Sequence, residues 1–128
     1  SASQRISTSV EAEGLALDLD KAITVGLIVN EAVTNARKHG FPVDKHGEIF
    51  VSMRAMGRDT IELVVGDTGV GFPPGFVPEN ASSLGVRLIF GLARRQLNGT
   101  IDLDRSNGTV YRIVFRRDDG EKTAIIDS

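Results

Sequence analysis

The chain has 128 residues, 41% of them apolar and 25% charged, and a net charge of −2. These figures describe one ordinary soluble globule, long enough to bury a core unaided and without a global field to draw it to nucleic acid or an anionic membrane. There is no cysteine, which removes disulfides, thiol nucleophiles and cysteine metal sites and fits a reducing compartment. No apolar run reaches the roughly 18 residues of a membrane span. The opening SASQRISTS has no signal-peptide core and no initiator Met, so the chain reads as an excised fragment.

Residues 5–18 (RISTSVEAEGLALD) alternate at Ile6/Thr8/Val10 and Leu15/Leu17, which predicts one or two strands. Asp18 and Asp20 then precede KAITVGLIVNEAVTNARKHG, a segment of helical periodicity. Acids at its start, Arg37-Lys38-His39 in its last turn and Gly40 as cap predict a single helix. Val25, Val29, Val33 and Ala36 are expected on its core side.

Two strands follow, EIFVSMRA (48–55) and TIELVV (60–65), joined by Met56-Gly57-Arg58-Asp59. Residues 72–83 (FPPGFVPENASS) carry three of the four prolines and no apolar period, so they form a loop that includes no element. Ser83 is placed to cap a second helix, LGVRLIFGLARRQL, with Val86, Phe90, Ala93 and Leu97 at helical spacing and Asn98-Gly99 as its stop. TIDLD and TVYRIVFR flank Ser106-Asn107-Gly108, a hairpin signal. Residues 117–128 read as a frayed tail, leaving one domain with a folded core over 5–116. The expected architecture is a two-layer α/β (α+β) sandwich: a mixed, largely antiparallel sheet with helices on one face.

Three places carry candidate chemistry. On the first helix Glu31, Asn35 and Lys38 fall within roughly 60° of one another. A solvated face with a routine charge pair would look the same. However, Asn30 and Asn35 are poor formers in mid-helix, and Ile23, Leu27 and Ile28 border the strip, which suggests a lined cavity. Asn35 could supply a neutral oxygen to Mg²⁺, Lys38 could meet phosphate, and Glu31 could orient or deprotonate an attacking group. His39 and His46, the latter expected in a loop, are too isolated for a metal site or a nucleophile–base pair.

The second place is VVGDTGVGF (64–72). Asp67 could simply end a strand in a turn. It could instead accept a hydrogen bond from the exocyclic amine of a base, with Gly69 and Gly71 letting the backbone approach. An aspartic-protease half-site is a third reading, helped by Ile89-Phe90-Gly91. It would need a dimer to supply the second carboxylate, and a proline-broken loop stands where a flap would be. The third place is Ser82-Ser83-Leu84-Gly85-Val86, where a small polar cap and a glycine at a helix start leave N–H groups facing outward, as suits phosphate. Simple capping explains that stretch equally well on its own.

Together and in order, these segments resemble the catalytic, ATP-binding domain of bacterial sensor histidine kinases, in the superfamily that also holds gyrase and the Hsp90 and MutL ATPases. LIVNEAVTNARKHGF (27–41) looks like the N box, GDTGVGF (66–72) like the first glycine box and SSLGVRLIFGL (82–92) like the second. GTVYRIVF (108–115) is similar to the closing strand. The resemblance runs from about residue 15 to 116 and implies the Bergerat-type ATP-binding fold.

It further implies that Asn35 ligates Mg²⁺ and Lys38 touches phosphate. Asp67 would read the adenine amine, helped by Gly69, Gly71 and, through water, Thr109. Residues 72–84 would be the ATP lid, and Ser83, Leu84, Gly85 and Val86 would turn N–H groups to the phosphates. Glu31 sits where hydrolysing relatives keep a general base. The short lid, the absence of a Phe-rich box and the acidic N box are similar to the short-lid subfamily, although no Trp-x-Glu mark is present and the second glycine box has one glycine, Gly85.

The function implied is transfer of the ATP γ-phosphoryl to a histidine on a separate dimerisation domain, with a response regulator downstream. This domain itself would have no nucleic-acid or membrane contact and would lie in the cytoplasm. The alternatives are an anti-sigma-factor-type serine kinase, whose N box is also acidic, and a degenerate docking domain that no longer binds nucleotide.

Overall fold

The computed structural model describes residues 5–12, 14–37, 46–69 and 84–117. The elements in chain order are β1 (Arg5–Ala12), α1 (Leu19–Asn35), β2 (His46–Met56), β3 (Thr60–Asp67), α2 (Leu84–Gly91), β4 (Thr100–Asp104) and β5 (Thr109–Arg116). α2 runs on without a break into wider, π-type turns over Leu92–Gln96. The strands form one sheet in the order β1-β2-β3-β5-β4. β1 and β2 are parallel and every other neighbour pair is antiparallel. A parallel pair needs a crossover, and α1 supplies it.

Period-two alternation sorts the sheet into two faces. Ile61, Leu63 and Val65 of β3 stand opposite Phe115, Ile113 and Tyr111 of β5, and all six are buried beneath the helices. From above, Val25, Ile28 and Ala32 of α1 and Val86, Ile89, Phe90, Ala93 and Leu97 of the second helix complete the core. Each fully buried side chain of this size stabilises by about 1.5–3 kcal/mol. A one-residue slip of β3 would turn its whole apolar set to the open face, so the register is firmly specified. The mixed sheet with helices on one face is the expected architecture.

The second helix behaves as its spacing predicts, with all four expected positions buried. Its stop is also as expected: Asn98 takes a left-handed φ of 52°, while the Gly99 N–H donates to the Ala93 carbonyl at 2.9 Å and the Leu97 N–H to Leu92 at 3.0 Å. The first helix is rotated from expectation. Val25 and Ala36 are buried, but Val29 and Val33 are only partly so, and Ile28, expected at the edge of a polar strip, is fully buried. Ile23 and Leu27, its expected companions, are 54% and 47% exposed. The cause is that two polar residues lie on the inward side. Lys21 is buried with its Nζ donating to the Arg116 carbonyl, and Thr24 donates its hydroxyl to the Asp20 carbonyl. A polar–apolar partition of the helix therefore misplaces its inward centre.

Smaller corrections concern the first and second strands. Among the described residues one strand precedes α1, within the expected one or two, and Leu15 and Leu17 pack against the core from an irregular stretch instead of forming a second. His46 is not in a loop but opens β2, paired with Arg5. Lys38, His39, Gly40, the loop 72–83 with Ser83, and the tail from 118 lie outside the described residues.

Candidate functional site

β3 ends at Asp67, with Ile49 of β2 on one side and Thr109 of β5 on the other. Asp67 belongs to the helix-facing set and is buried at 6% exposure. Its carboxylate accepts the Gly69 N–H at 2.8 Å, closing a tight Asx turn. Thr68 points the other way and locks that turn to β2: its N–H donates to the Glu48 carbonyl, and its hydroxyl accepts the Glu48 N–H. Burial pushes the Asp67 carboxyl up from its ordinary value, while backbone N–H groups of Gly69 and Thr109 oppose that rise. A strand-ending turn is thus present. A buried carboxylate with acceptor capacity to spare is more than such a turn requires.

Gly108 holds this strand end from the far side. Its φ is +83°, and a Cβ there would overlap the Asp67 carbonyl oxygen. Next to it, Thr109 is buried at 8% exposure and Tyr111 at 3%. The Tyr111 hydroxyl has no hydrogen-bond partner among the described residues.

The end of α1 lies over the same end of the sheet. Ala36 packs against Ile49, and Ile49 is the register partner of Asp67. One residue earlier, Asn35 faces the start of α2. A Cβ on Gly85 would stand 2.9 Å from Asn35 Nδ2, 3.1 Å from its Oδ1 and 3.1 Å from Glu31 Oε2. Asn35 Nδ2 is buried without a partner among the described residues. The first-turn N–H groups of α2 have no acceptor within the helix, which is true of any helix start. Four segments therefore converge: the ends of β3 and α1 and the beginnings of β5 and α2.

Of the expected site residues, Glu31, Asn35 and Gly85 touch or nearly touch, and Asp67, Gly69 and Thr109 form a second group joined by hydrogen bonds. Leu84 opens α2, and Val86 sends its side chain into the core, which leaves only its backbone for a ligand. Lys38, Gly71 and Ser83 lie outside the described residues. Among those residues no group of three or more His, Cys, Asp or Glu could hold a metal. A cation here would have to take most of its ligands from its own anion and water, as Mg²⁺ on a triphosphate does. The partnerless Asn35 amide beside a carboxylate fits that donor set.

Gly108 and Tyr111 were missed as site residues. Gly108 reads only as hairpin and closing strand, and Tyr111 as an ordinary strand residue. Arg87 and Arg95 line two shallow grooves of about 290 and 380 Å³ along the second helix, the smaller also lined by Arg94, and neither groove is lined by Asp67 or Asn35.

Residues 20–119 match the family of histidine kinase-, DNA gyrase B- and HSP90-like ATPases. The chain is 30% identical over 106 residues to the sensor histidine kinase PdtaS of Mycobacterium tuberculosis, a match that covers 79% of this chain and 21% of that protein. It is 33% identical over 67 residues to the anti-sigma F factor of Shouchella clausii, covering 52% of this chain and 45% of that one. Among solved structures, the histidine kinase domain of the Erythrobacter litoralis EL346 blue-light activated kinase superposes with a TM-score of 0.78 at 27% identity, covering 86% of this chain and 54% of that one. The chain thus spans about a fifth of PdtaS and under half of the anti-sigma factor.

Proposed function

The chain belongs to the histidine kinase-, DNA gyrase B- and HSP90-like ATPases, and from that premise we propose that it is the ATP-binding catalytic domain of a two-component sensor histidine kinase. It would transfer the γ-phosphoryl of ATP to a histidine on a dimerisation domain outside this chain, and a response regulator would receive the group next. The observation that carries this reading is the convergence of a buried, acceptor-rich Asp67 with the Glu31–Asn35–Gly85 contact at one end of the sheet.

In this reading Asp67 selects the base. An ionised carboxylate only accepts, so it favours an amine edge over a carbonyl edge. Gly69 keeps the approach open, and Thr109 shares a water with the base. Asn35 holds Mg²⁺ through its amide oxygen, with Lys38 on the phosphates and Ser83, Leu84, Gly85 and Val86 presenting N–H groups there. When bound, Mg²⁺ offsets phosphate charge as the phosphoryl leaves. Glu31, against the same helix start, would take the proton of the attacking group. A cytoplasmic location is part of the proposal.

The anti-sigma-factor-type serine kinase is the second reading, supported by the Shouchella clausii likeness. That likeness covers less of the chain than the PdtaS one, which favours the histidine kinase. A docking domain without nucleotide would not need a buried acceptor at Asp67.

Calorimetric titration with Mg-ATP tests the reading. Wild type should bind, and Asp67→Asn should remain folded but bind about ten- to a hundred-fold more weakly, the worth of a hydrogen bond to a charged group. Equal affinity in both would remove Asp67 from the site, and no binding by wild type at millimolar ATP would favour the docking domain. Adding the upstream helical domain or a sigma factor then separates the two kinases.

A further inference from the structure

Tyr111 is the chain's one tyrosine, and there is no tryptophan. Its ring is set edge-on against Phe90, with centroids 6.4 Å apart at 75°. The phenol is buried at 3% exposure, yet its hydroxyl has no hydrogen-bond partner among the described residues. Buried tyrosine hydroxyls normally have one. A purely structural ring at this place would be better served by phenylalanine, since an unsatisfied buried hydroxyl costs about 1–3 kcal/mol.

The register shows what the hydroxyl can reach. Asp67 stands opposite Thr109, so Tyr111, two residues along β5 on the same face, is its diagonal neighbour. Diagonal pairs are within reach of an aromatic side chain. The Asp67 charge also reaches the phenol, adding to burial in pushing Tyr111 up to about 12. The phenol therefore stays a donor at every working pH, facing a carboxylate that can only accept. No direct bond joins them, and one water that accepts from the phenol and donates to the carboxylate would satisfy both.

We propose that Tyr111 is a positioning residue for Asp67: its hydroxyl and the carboxylate share one buried water, and the pair sets the preference for a base with an amine over one with a carbonyl at that position. The proposal rests on the nucleotide-binding reading of this crevice. A donor held on the carboxylate favours its ionised form and keeps it an acceptor. Without that donor, Asp67, already pushed up by burial, protonates more readily and can then donate to a carbonyl. The ionisable groups on the elements packed around this end are Glu31 on α1, Glu48 on β2, and Arg87 and Arg94 on the second helix, with Arg94 lying over Phe90. None of them is a source of the Asp67 shift, which burial produces against two opposing N–H groups.

The test compares wild type with Tyr111→Phe for ATP and ITP, which differ in an amine against a carbonyl, between pH 5 and pH 8. The variant should weaken ATP about three- to ten-fold, the worth of a water-mediated hydrogen bond. ITP affinity should hold, so the ATP:ITP preference falls by the same factor. The acid-side loss of ATP binding should also move to higher pH. A folded variant with wild-type ATP affinity, preference and pH limb overturns the proposal while leaving the site intact. If wild type itself does not bind ATP, the nucleotide reading fails and takes this proposal with it.

A second measurement does not depend on that variant. The lone tyrosine's fluorescence should show a step as Asp67 titrates, and the step should vanish in Asp67→Asn. Identical pH profiles in the two proteins would overturn the coupling.

Discussion

Gly108 presses on the carbonyl of Asp67, so the hairpin between β4 and β5 buttresses the strand end that carries the site's buried acid. Both its φ of +83° and the absence of a side chain are required there. Gly108→Ala must adopt a left-handed backbone, at about 1–2 kcal/mol, and must also push the two strand ends apart. We expect a total loss of about 2–4 kcal/mol, within the range of strained backbone changes. The urea midpoint should fall with an unchanged slope, and ATP affinity should fall with it. A wild-type midpoint would show that the contact relaxes without cost.

Gly85→Ala should separate binding from stability. The added methyl meets the ends of Asn35 and Glu31, which are flexible side chains rather than backbone. Alanine also suits a helix better than glycine, by up to about 1 kcal/mol. The melting temperature should therefore hold or rise slightly. Nucleotide affinity should drop about ten-fold, because Asn35 and Glu31 are turned from their places where a displacement is felt strongly. Unchanged Mg-ATP affinity would mean that the Asn35 position does not matter to the ligand.

How much of this was legible in the sequence depended on the range of each signal. Val86, Phe90, Ala93 and Leu97 identified the inward side of the second helix, because its polar residues all face out. α1 broke the same rule at Lys21 and Thr24, whose buried polar atoms are satisfied by carbonyls that no periodicity reveals. The order of Asn35, Asp67 and Gly85 along the chain suggested a common crevice. Their contacts could not be read from it, since the Gly85–Asn35 approach depends on how two helices pack. Gly108 advertised its turn and hid its neighbour. Tyr111 gave no signal, because a tyrosine in a strand is ordinary until its hydroxyl is found buried beside an acid.

The cap of the second helix gives a prediction remote from the crevice. Asn98 occupies the left-handed position, φ 52°. Asn98→Gly should stabilise by a few tenths of a kcal/mol, up to about 1, and Asn98→Ala should destabilise by about 1 kcal/mol, because only the β-carbon penalty differs between them. Thermal unfolding of the two variants should move in opposite directions. Equal melting points would mean that the Gly99–Ala93 bond, not the backbone conformation at Asn98, determines where the helix ends.

Glu62 supplies a pH-dependent stability that should leave nucleotide binding untouched. It lies on the sheet face away from the helices, paired with Arg54 at 2.8 Å on one oxygen and with Arg112 on the other. The two arginines, 60% and 44% exposed, cover a carboxylate that is itself only 7% exposed. Their hydrogen bonds, led by that from Arg54, hold Glu62 below its ordinary 4.5 in spite of burial. A carboxyl lowered in the folded state contributes stability above its unfolded value, and loses it as pH falls through the lowered folded value. Because the partners are well solvated, the contribution is about 1 kcal/mol rather than the larger figure of a dry pair. Glu62→Gln should therefore lower stability by about 1 kcal/mol at neutral pH. The gap to wild type should close below the ordinary carboxylate range and shrink in high salt. Urea midpoints measured from neutral to strongly acid pH check this, and a gap that stays constant across the acid range would show that the pair stabilises by packing rather than by charge.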